Sequence, residues 1–373
     1  YSKIHRLFNK GLIKMKILHV ITSLSTGGAE KLMVDLLPRL RDLDNEVELL
    51  IFDGKRTAFY NELEQIGIKI HHLSIGGNVY NPINIFKLTK YIKYYDIIHT
   101  HNTACQYFVP LAKIISLAKC KLVTTEHNTS NRRRKHNWFR IIDRWMYNRY
   151  KKVICISDQA EINLREFIKI NNSNICTIYN GVNISRFANA EPSEEIMSKF
   201  EGLHTAIMVA GFRCQKDQPT LIKAYTHLPE NYHLILVGDG ERRSEFETLV
   251  KELKLKDRVH LLGLRTDVPE LLKAVEVIVM SSHYEGLSLS NIEGMASGNP
   301  FVASDVDGLR EITDGYGVLF PHKDDKALAD IILKLSTDEE YRQSVIEKCK
   351  KRAEQYDISN MSNAYFKVYQ GLC

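Results

Sequence analysis

The sequence predicts an α/β protein built from two doubly wound parallel sheets, and three observations predict it. Short runs rich in Val, Ile and Leu alternate with stretches of helical period along almost the whole chain, the pattern of strand–helix units around buried parallel strands. Both periodicities break in 183–195, through Asn189-Ala-Glu-Pro-Ser-Glu-Glu195, and the alternation then restarts. The 373 residues, at roughly 150 per domain, leave room for two cores.

In order, the first half offers strands at 16–21, 46–52, 69–73, 96–100, 121–125, 152–156 and 174–178, with a helix at 29–43 opened by a Gly pair. The second half offers strands at 205–210, 232–237, 258–262, 276–280 and 300–303. After Pro321 come helices at 323–335, 339–355 and 359–370. The expected domains are 15–185 and 190–355. Residues Tyr1–Lys14 lack the apolar core of a signal peptide and read as a leader ahead of Met15.

Forty-four per cent apolar and 26% charged residues exclude a disordered or fibrous chain. No apolar run reaches the roughly 18–20 residues that a membrane-spanning helix needs. Seven scattered cysteines form no CxxC pair and no disulfide-like framework, which suits a reducing, cytoplasmic setting. Residues 1–190 carry 29 Lys+Arg against 15 Asp+Glu, and residues 191–373 carry 22 against 30. The first half is thus +14 and the second −8, so the first half is expected to meet something anionic.

In open α/β sheets ligands sit beyond the carboxyl ends of the strands, which directs the search to the following loops. After the first strand, Gly27-Gly28-Ala29-Glu30 opens a helix whose N-terminal amides favour an anion. After 205–210 comes Gly211-Phe-Arg213-Cys-Gln-Lys216-Asp217, two cations beside a helix start, suited to a diphosphate. After 276–280 comes His283-Tyr-Glu285-Gly286-Leu287-Ser288, then Glu293 about two turns on, then Gly298-Asn-Pro300. One of these carboxylates suits sugar hydroxyls and the other ribose hydroxyls.

Other patterns carry less. His99 and His101 face one side of an extended strand, as a metal pair can; with no third ligand nearby, lining of a cleft is the preferred reading. Asp305-Val-Asp307 is read as a turn and not as a metal-binding Asp-x-Asp, and Gly238-Asp-Gly240 lacks the third glycine of a dinucleotide fingerprint. Residues 131–152 hold nine cations against Asp143 alone, with Trp138, Ile142, Trp145 and Met146 on one helical face. Such a helix, led by Arg132, Arg133 and Arg134, suits an anionic membrane surface. No motif supports nucleic acid as a partner.

Gly27-Gly28-Ala29-Glu30, Tyr179-Asn-Gly181-Val-Asn183, the Arg213/Lys216 loop and Glu285-Gly-Leu…Glu293-Gly-Met-Ala-Ser-Gly-Asn-Pro300 resemble the retaining glycosyltransferases of family 4, in order over about residues 15–370. The resemblance implies a GT-B fold of two Rossmann-like domains facing a central cleft, acceptor on the first and nucleotide sugar on the second, with 358–373 packing back on the first. It implies that Glu293 holds ribose, Glu285 the donor sugar and Lys216 the diphosphate. Amides near Gly286, Leu287 and Ser288, with Gly27 and Gly28, would assist, and His127 would be the active-site histidine. The family carries Arg five residues before that Lys, where this chain has Gly211, with Arg213 two places later.

The expected activity is transfer from a nucleotide-diphosphate sugar, UDP-linked, to a hydroxyl of a lipid-linked glycan in surface polysaccharide or glycoconjugate synthesis. No cofactor and no metal are expected, and the expected location is the cytoplasmic membrane face. The alternatives are a sugar-nucleotide epimerase of the same fold and a non-catalytic adaptor for anions or membranes.

Overall fold

The computed structural model describes residues 14–25, 27–127, 137–169, 174–285 and 289–373. The chain divides into two compact units, one running up to Asn180 and resuming over Ser359–Cys373, the other spanning Gly181–Ile358. The division precedes the break in periodicity at 183–195. Val182 already pairs in parallel with Asp357, and its N–H donates to the Tyr356 carbonyl at 2.9 Å.

The first unit is an all-parallel sheet in the order β3-β2-β1-β4-β5-β6-β7. Its strands are β1 Lys16–Ile21, β2 Glu46–Ile51, β3 Lys69–His72, β4 Ile97–Thr100, β5 Lys121–Glu126, β6 Lys152–Cys155 and β7 Ile175–Thr177. Helices α1 Gly28–Asp42, α2 Ala58–Gln65, α3 Ile83–Leu88, α4 Thr103–Ser116, α5 Asn137–Tyr147 and α6 Asp158–Ile168 connect them. The central strands are buried nearly end to end, as a sheet covered on both faces requires, whereas the edge strand β3 reads Lys-Ile-His-His and stays partly exposed. Leu18, Val20, Leu50 and Ile98 pack against Val109 of α4 and Leu164 of α6 in one core.

The second unit repeats the scheme with six parallel strands in the order β10-β9-β8-β11-β12-β13. These are β8 His204–Val209, β9 Tyr232–Val237, β10 Val259–Gly263, β11 Val277–Met280, β12 Phe301–Ser304 and β13 Val318–Phe320. Helices α7 Ile184–Ala188 and α8 Glu194–Lys199 lead in; α9 Gln218–Ala224, α10 Arg243–Glu252, α11 Val268–Lys273, α12 Leu289–Ala296 and α13 Arg310–Thr313 follow, then α14 Asp325–Thr337 and α15 Glu339–Gln355. β13, a Val-Leu-Phe run between Gly317 and Pro321, was not expected. Carboxylates at N-caps start several helices where the sequence pattern puts them. Asp324 accepts from the Ala327 N–H at 2.9 Å and Asp338 from the Tyr341 N–H at 2.9 Å.

The last helix, α16 Ile358–Gln370, belongs to the first unit. Its buried Tyr369 meets His99 Nδ1 at 2.6 Å and Tyr365 meets Thr125 Oγ1 at 3.2 Å, tying it to β4 and β5. In each unit the chain adds strands outward from the first (β1, β2, β3; β8, β9, β10) and then crosses to that strand's other side (β4; β11). The loops after β1 and β4, and after β8 and β11, therefore flank the point where strand order reverses, the usual place for a ligand.

Candidate active site

In the second unit the loops after β8 and β11 are laced together. Lys216 and Ser282 form an antiparallel bridge, the Asp217 N–H donates to the Ser281 carbonyl at 3.0 Å, and the His283 N–H donates to the Gln215 carbonyl at 2.9 Å. This lacing brings the Lys216 ammonium onto Glu285 Oε1 as an ion pair, with side chains only 15% and 9% exposed. Ser282 Oγ donates to the same oxygen at 3.0 Å and Gln215 Nε2 to Oε2 at 3.0 Å. The structure thus joins two residues that lie 69 apart in sequence. It adds Gln215 and Ser282, which sequence reasoning passed over because neither type is diagnostic alone.

The Asp305-Val-Asp307 turn braces this pair: the Glu285 N–H donates to the Asp307 carbonyl at 3.1 Å. Asp305 itself is paired with Arg310, which holds its carboxyl below the usual range. The Gly238-Asp-Gly240 turn has a similar supporting part. Gly238 has φ +137, and a Cβ there would stand 2.1 Å from the Ala210 carbonyl oxygen, while one on Gly240 would stand 2.5 Å from the Phe212 carbonyl oxygen. These glycines let the end of β9 close on the cationic loop, and Arg242 Nη1 then reaches the Lys216 carbonyl at 3.3 Å.

Arg213 is exposed, and its Nε lies 3.5 Å from where a Cβ on Gly211 would be. Its guanidinium therefore runs beside position 211, in ordinary van der Waals contact with where a Cβ there would be. Glu293 lies in α12, partly buried. Gly286, Leu287 and Ser288 lie outside the described residues.

In the first unit, four histidines gather at the carboxyl end of the sheet. His127 Nε2 meets His101 Nδ1 at 3.2 Å, and His101 Nε2 meets His19 Nδ1 at 2.9 Å. His99 bonds Thr125 Oγ1 at 2.8 Å as well as Tyr369, and its ring stacks on His101 at 4.3 Å between centroids. Burial depresses all four: His19 to about 3, His127 to about 4, His99 and His101 well below 6.5. They are neutral rings at pH 7, each able to donate from one nitrogen and accept at the other.

The expectation that His99 and His101 lack a third neighbour is corrected here, for His19 of β1 brings a ring nitrogen to within 4.8 Å of theirs. Even so, every ring nitrogen of His99 and His101 already has a hydrogen-bond partner. His101 and His127 do line a pocket of about 250 Å³ with Thr22, Tyr80, Asn102 and Glu126, whereas His99 is packed into the sheet. Glu126, a buried carboxylate bonded by Tyr147 OH, was not singled out from sequence, since its position beside His127 is its one signal.

At the start of α1, Gly27 is the N-cap in extended backbone, and a Cβ on it would meet Glu30 Oε2 at 2.3 Å. The Glu30 carboxylate thus lies beside Gly27 at this helix start. A Cβ on Gly28 would meet nothing within 4 Å, so the space beside it is open.

The apolar face expected on α5 divides. Met146 and Tyr147 are buried with Asp143, whereas Trp138, Ile141 and Ile142 are 58%, 74% and 40% exposed. Arg132, Arg133 and Arg134 lie outside the described residues. Among the described residues, no helix is long and apolar enough to cross a membrane.

Two doubly wound parallel units, each with polar loops gathered at its strand-order reversal, are the architecture of a GT-B glycosyltransferase. Residues 26–186 match the family described as Glycosyltransferase Family 4, and residues 190–352 match Glycosyl transferases group 1. The chain belongs to this family and is a glycosyltransferase. It is 26% identical over 314 residues, 79% of this chain and 80% of the relative, to the Escherichia coli UDP-Gal:alpha-D-GlcNAc-diphosphoundecaprenol alpha-1,3-galactosyltransferase. It is also 26% identical to the Campylobacter jejuni N-acetylgalactosamine-N,N'-diacetylbacillosaminyl-diphospho-undecaprenol 4-alpha-N-acetylgalactosaminyltransferase, over 94% of this chain and 98% of that one. Among solved structures, HepE of Anabaena in complex with UDP superimposes with a TM-score of 0.81 at 22% identity, over 96% of this chain and 100% of that one.

Proposed function

We propose that this glycosyltransferase moves a sugar, with retention of anomeric configuration, from a UDP-sugar to a hydroxyl of a lipid-linked glycan in surface polysaccharide or glycoconjugate synthesis. The observation that carries the donor half is the Lys216–Glu285 pair at the strand-order reversal of the second unit. A nucleotide diphosphate leaves with growing negative charge, and a fixed ammonium beside that oxygen stabilises the transition state more than the ground state. In this reading Lys216 exchanges part of its contact with Glu285 for a phosphate oxygen. Arg213 and the amides of Gly286–Ser288 add to the grip, Glu285 holds sugar hydroxyls and Glu293 the ribose. Such a grip needs no metal, and the acceptor proton passes to the departing phosphate on the same face.

The acceptor half rests on the pocket at His101 and His127 and on the +14 charge of the first half. His127, kept neutral, is suited to a hydrogen bond with a sugar or acceptor hydroxyl. The Arg132–Arg134 segment and the exposed Trp138 are suited to an anionic membrane on the cytoplasmic side. The galactosyltransferase and N-acetylgalactosaminyltransferase relatives are named for acceptors on diphosphoundecaprenol, and HepE is solved with UDP-glucose, which supports the same classes here.

A panel of UDP-sugars assayed for UDP release, with and without a diphosphate-lipid acceptor, tests the reading. Acceptor-dependent release of UDP supports it. Conversion of the donor to another nucleotide sugar without acceptor identifies an epimerase instead.

A further inference from the structure

We infer that Asp217, His283 and His322 form a site for a zinc-type divalent ion on the second unit, separate from the transfer chemistry. His283 Nδ1 lies 2.9 Å from His322 Nε2 and 3.8 Å from Asp217 Oδ2, and the three ligand atoms all lie within 4.8 Å of one another. Ligands at about 2.0–2.1 Å in a tetrahedral zinc site stand roughly 3.3 Å apart. The two observed spacings fall on either side of that value, each within about half an ångström. Two imidazoles and one carboxylate are the donor set that zinc accepts, with water in the fourth position. The exposed His322 leaves that position open to solvent.

The ligands are prepared in other ways. Asp217 is 4% exposed, and its carboxylate is oriented by Thr220, whose N–H donates to Oδ1 at 3.3 Å and whose hydroxyl donates to Oδ2 at 2.7 Å. Such outer partners fix a metal ligand's direction. The two rings now share one N–H; on binding, that proton moves to the far nitrogen of its own ring and the metal takes its place. By contrast, in the buried His19, His99 and His101 cluster most ring nitrogens are already engaged, and none of the three is exposed.

The three ligands come from the loop after β8, the loop after β11 and the turn after β13. A bound ion would clasp the segments that carry Lys216 and Glu285, raising the stability of the second unit without entering the reaction. This inference stands whether or not the proposed donor and acceptor are right.

The test uses the full chain stripped with EDTA and desalted, titrated with Zn²⁺ by calorimetry and with Co²⁺ by visible absorption. Expected are one ion bound per chain in the micromolar range, tetrahedral Co²⁺ bands and a thermal midpoint that rises with Zn²⁺ concentration. His322→Gln, on an exposed turn, should keep the circular dichroism of the wild type and lose more affinity than the roughly 10–100-fold that loss of an outer partner costs. His283→Gln should lose as much, and Cys214→Ser, an exposed thiol in the same loop, should lose none. Absence of one-to-one binding, binding retained in folded His322→Gln, or binding lost in Cys214→Ser overturns the assignment.

Discussion

Replacing Lys216 by alanine separates what this residue does for the fold from what it does for the reaction. In the folded chain the substitution leaves Glu285, only 9% exposed, with Ser282 Oγ and Gln215 Nε2 but without its cation. Losing the charged partner while keeping two neutral ones should destabilise the protein by about 1–3 kcal/mol. That is less than the roughly 3–5 kcal/mol seen when a buried ion pair loses one partner and nothing else remains. In the transition state the loss is of a fixed donor at the departing diphosphate, about 3–4 kcal/mol or roughly 10²–10³ in kcat. Glu285→Gln placed on top of Lys216→Ala removes the stranded charge, so the thermal midpoint should recover while turnover does not, and the two readouts come apart. The assay is UDP release at saturating donor and acceptor, beside thermal unfolding of the same samples. Turnover of Lys216→Ala near that of the wild type, or turnover restored by Glu285→Gln, would refute the argument.

Three fully buried neutral rings, His19, His99 and His101, have folded values far below 6.5, whereas the unfolded chain takes up protons near 6.5. Stability should therefore be complete above pH 6.5 and fall as pH drops below it, by about 1.4 kcal/mol per histidine per pH unit; urea midpoints that stay flat from pH 7 to 5 would contradict this. Gly294→Ala should cost about 1–3 kcal/mol, since its Cβ would stand 2.7 Å from the Phe301 ring and 3.1 Å from Ile278, and chemical denaturation measures it. Transfer should continue in excess EDTA even if the thermal midpoint falls, and activity recovered only with Mg²⁺ or Mn²⁺ would remove Lys216 from its role. Reversing Arg132, Arg133 and Arg134 to Glu should abolish salt-sensitive co-sedimentation with anionic vesicles and spare transfer to a short soluble acceptor, each cation near such a surface being worth about 1 kcal/mol.

Much of the fold was legible because parallel strands buried on both faces leave continuous apolar runs, and every expected strand was found within about one residue of its place. What escaped were the edge strand β13 and the position of the join, which moved to Asn180 because a pairing between Val182 and Asp357 is invisible along the chain. On α5 the expected stripe mixed inward Met146 with outward Trp138 and Ile142, because the helix also turns a buried Asp143 and Tyr147 inward, and an acidic residue gives no signal of core position.

The site follows the same logic one level up. Lys216 and Glu285 are recognisable singly by their motifs, yet their pairing depends on the crossing that makes β8 and β11 neighbours although β9 and β10 lie between them in sequence. His19 becomes a neighbour of His101 for the corresponding reason, because β1 and β4 are adjacent and their registers put His19 level with His99. Residues that a strand-order reversal brings together come from distant parts of the chain, so no local window of sequence holds both. In this protein His19 was missed because only the neighbouring strand sets it beside His101. Gln215, Ser282 and Glu126 lie within three residues of Lys216, Glu285 and His127 in the chain and were missed because their residue types are not diagnostic until the hydrogen bonds show what they hold.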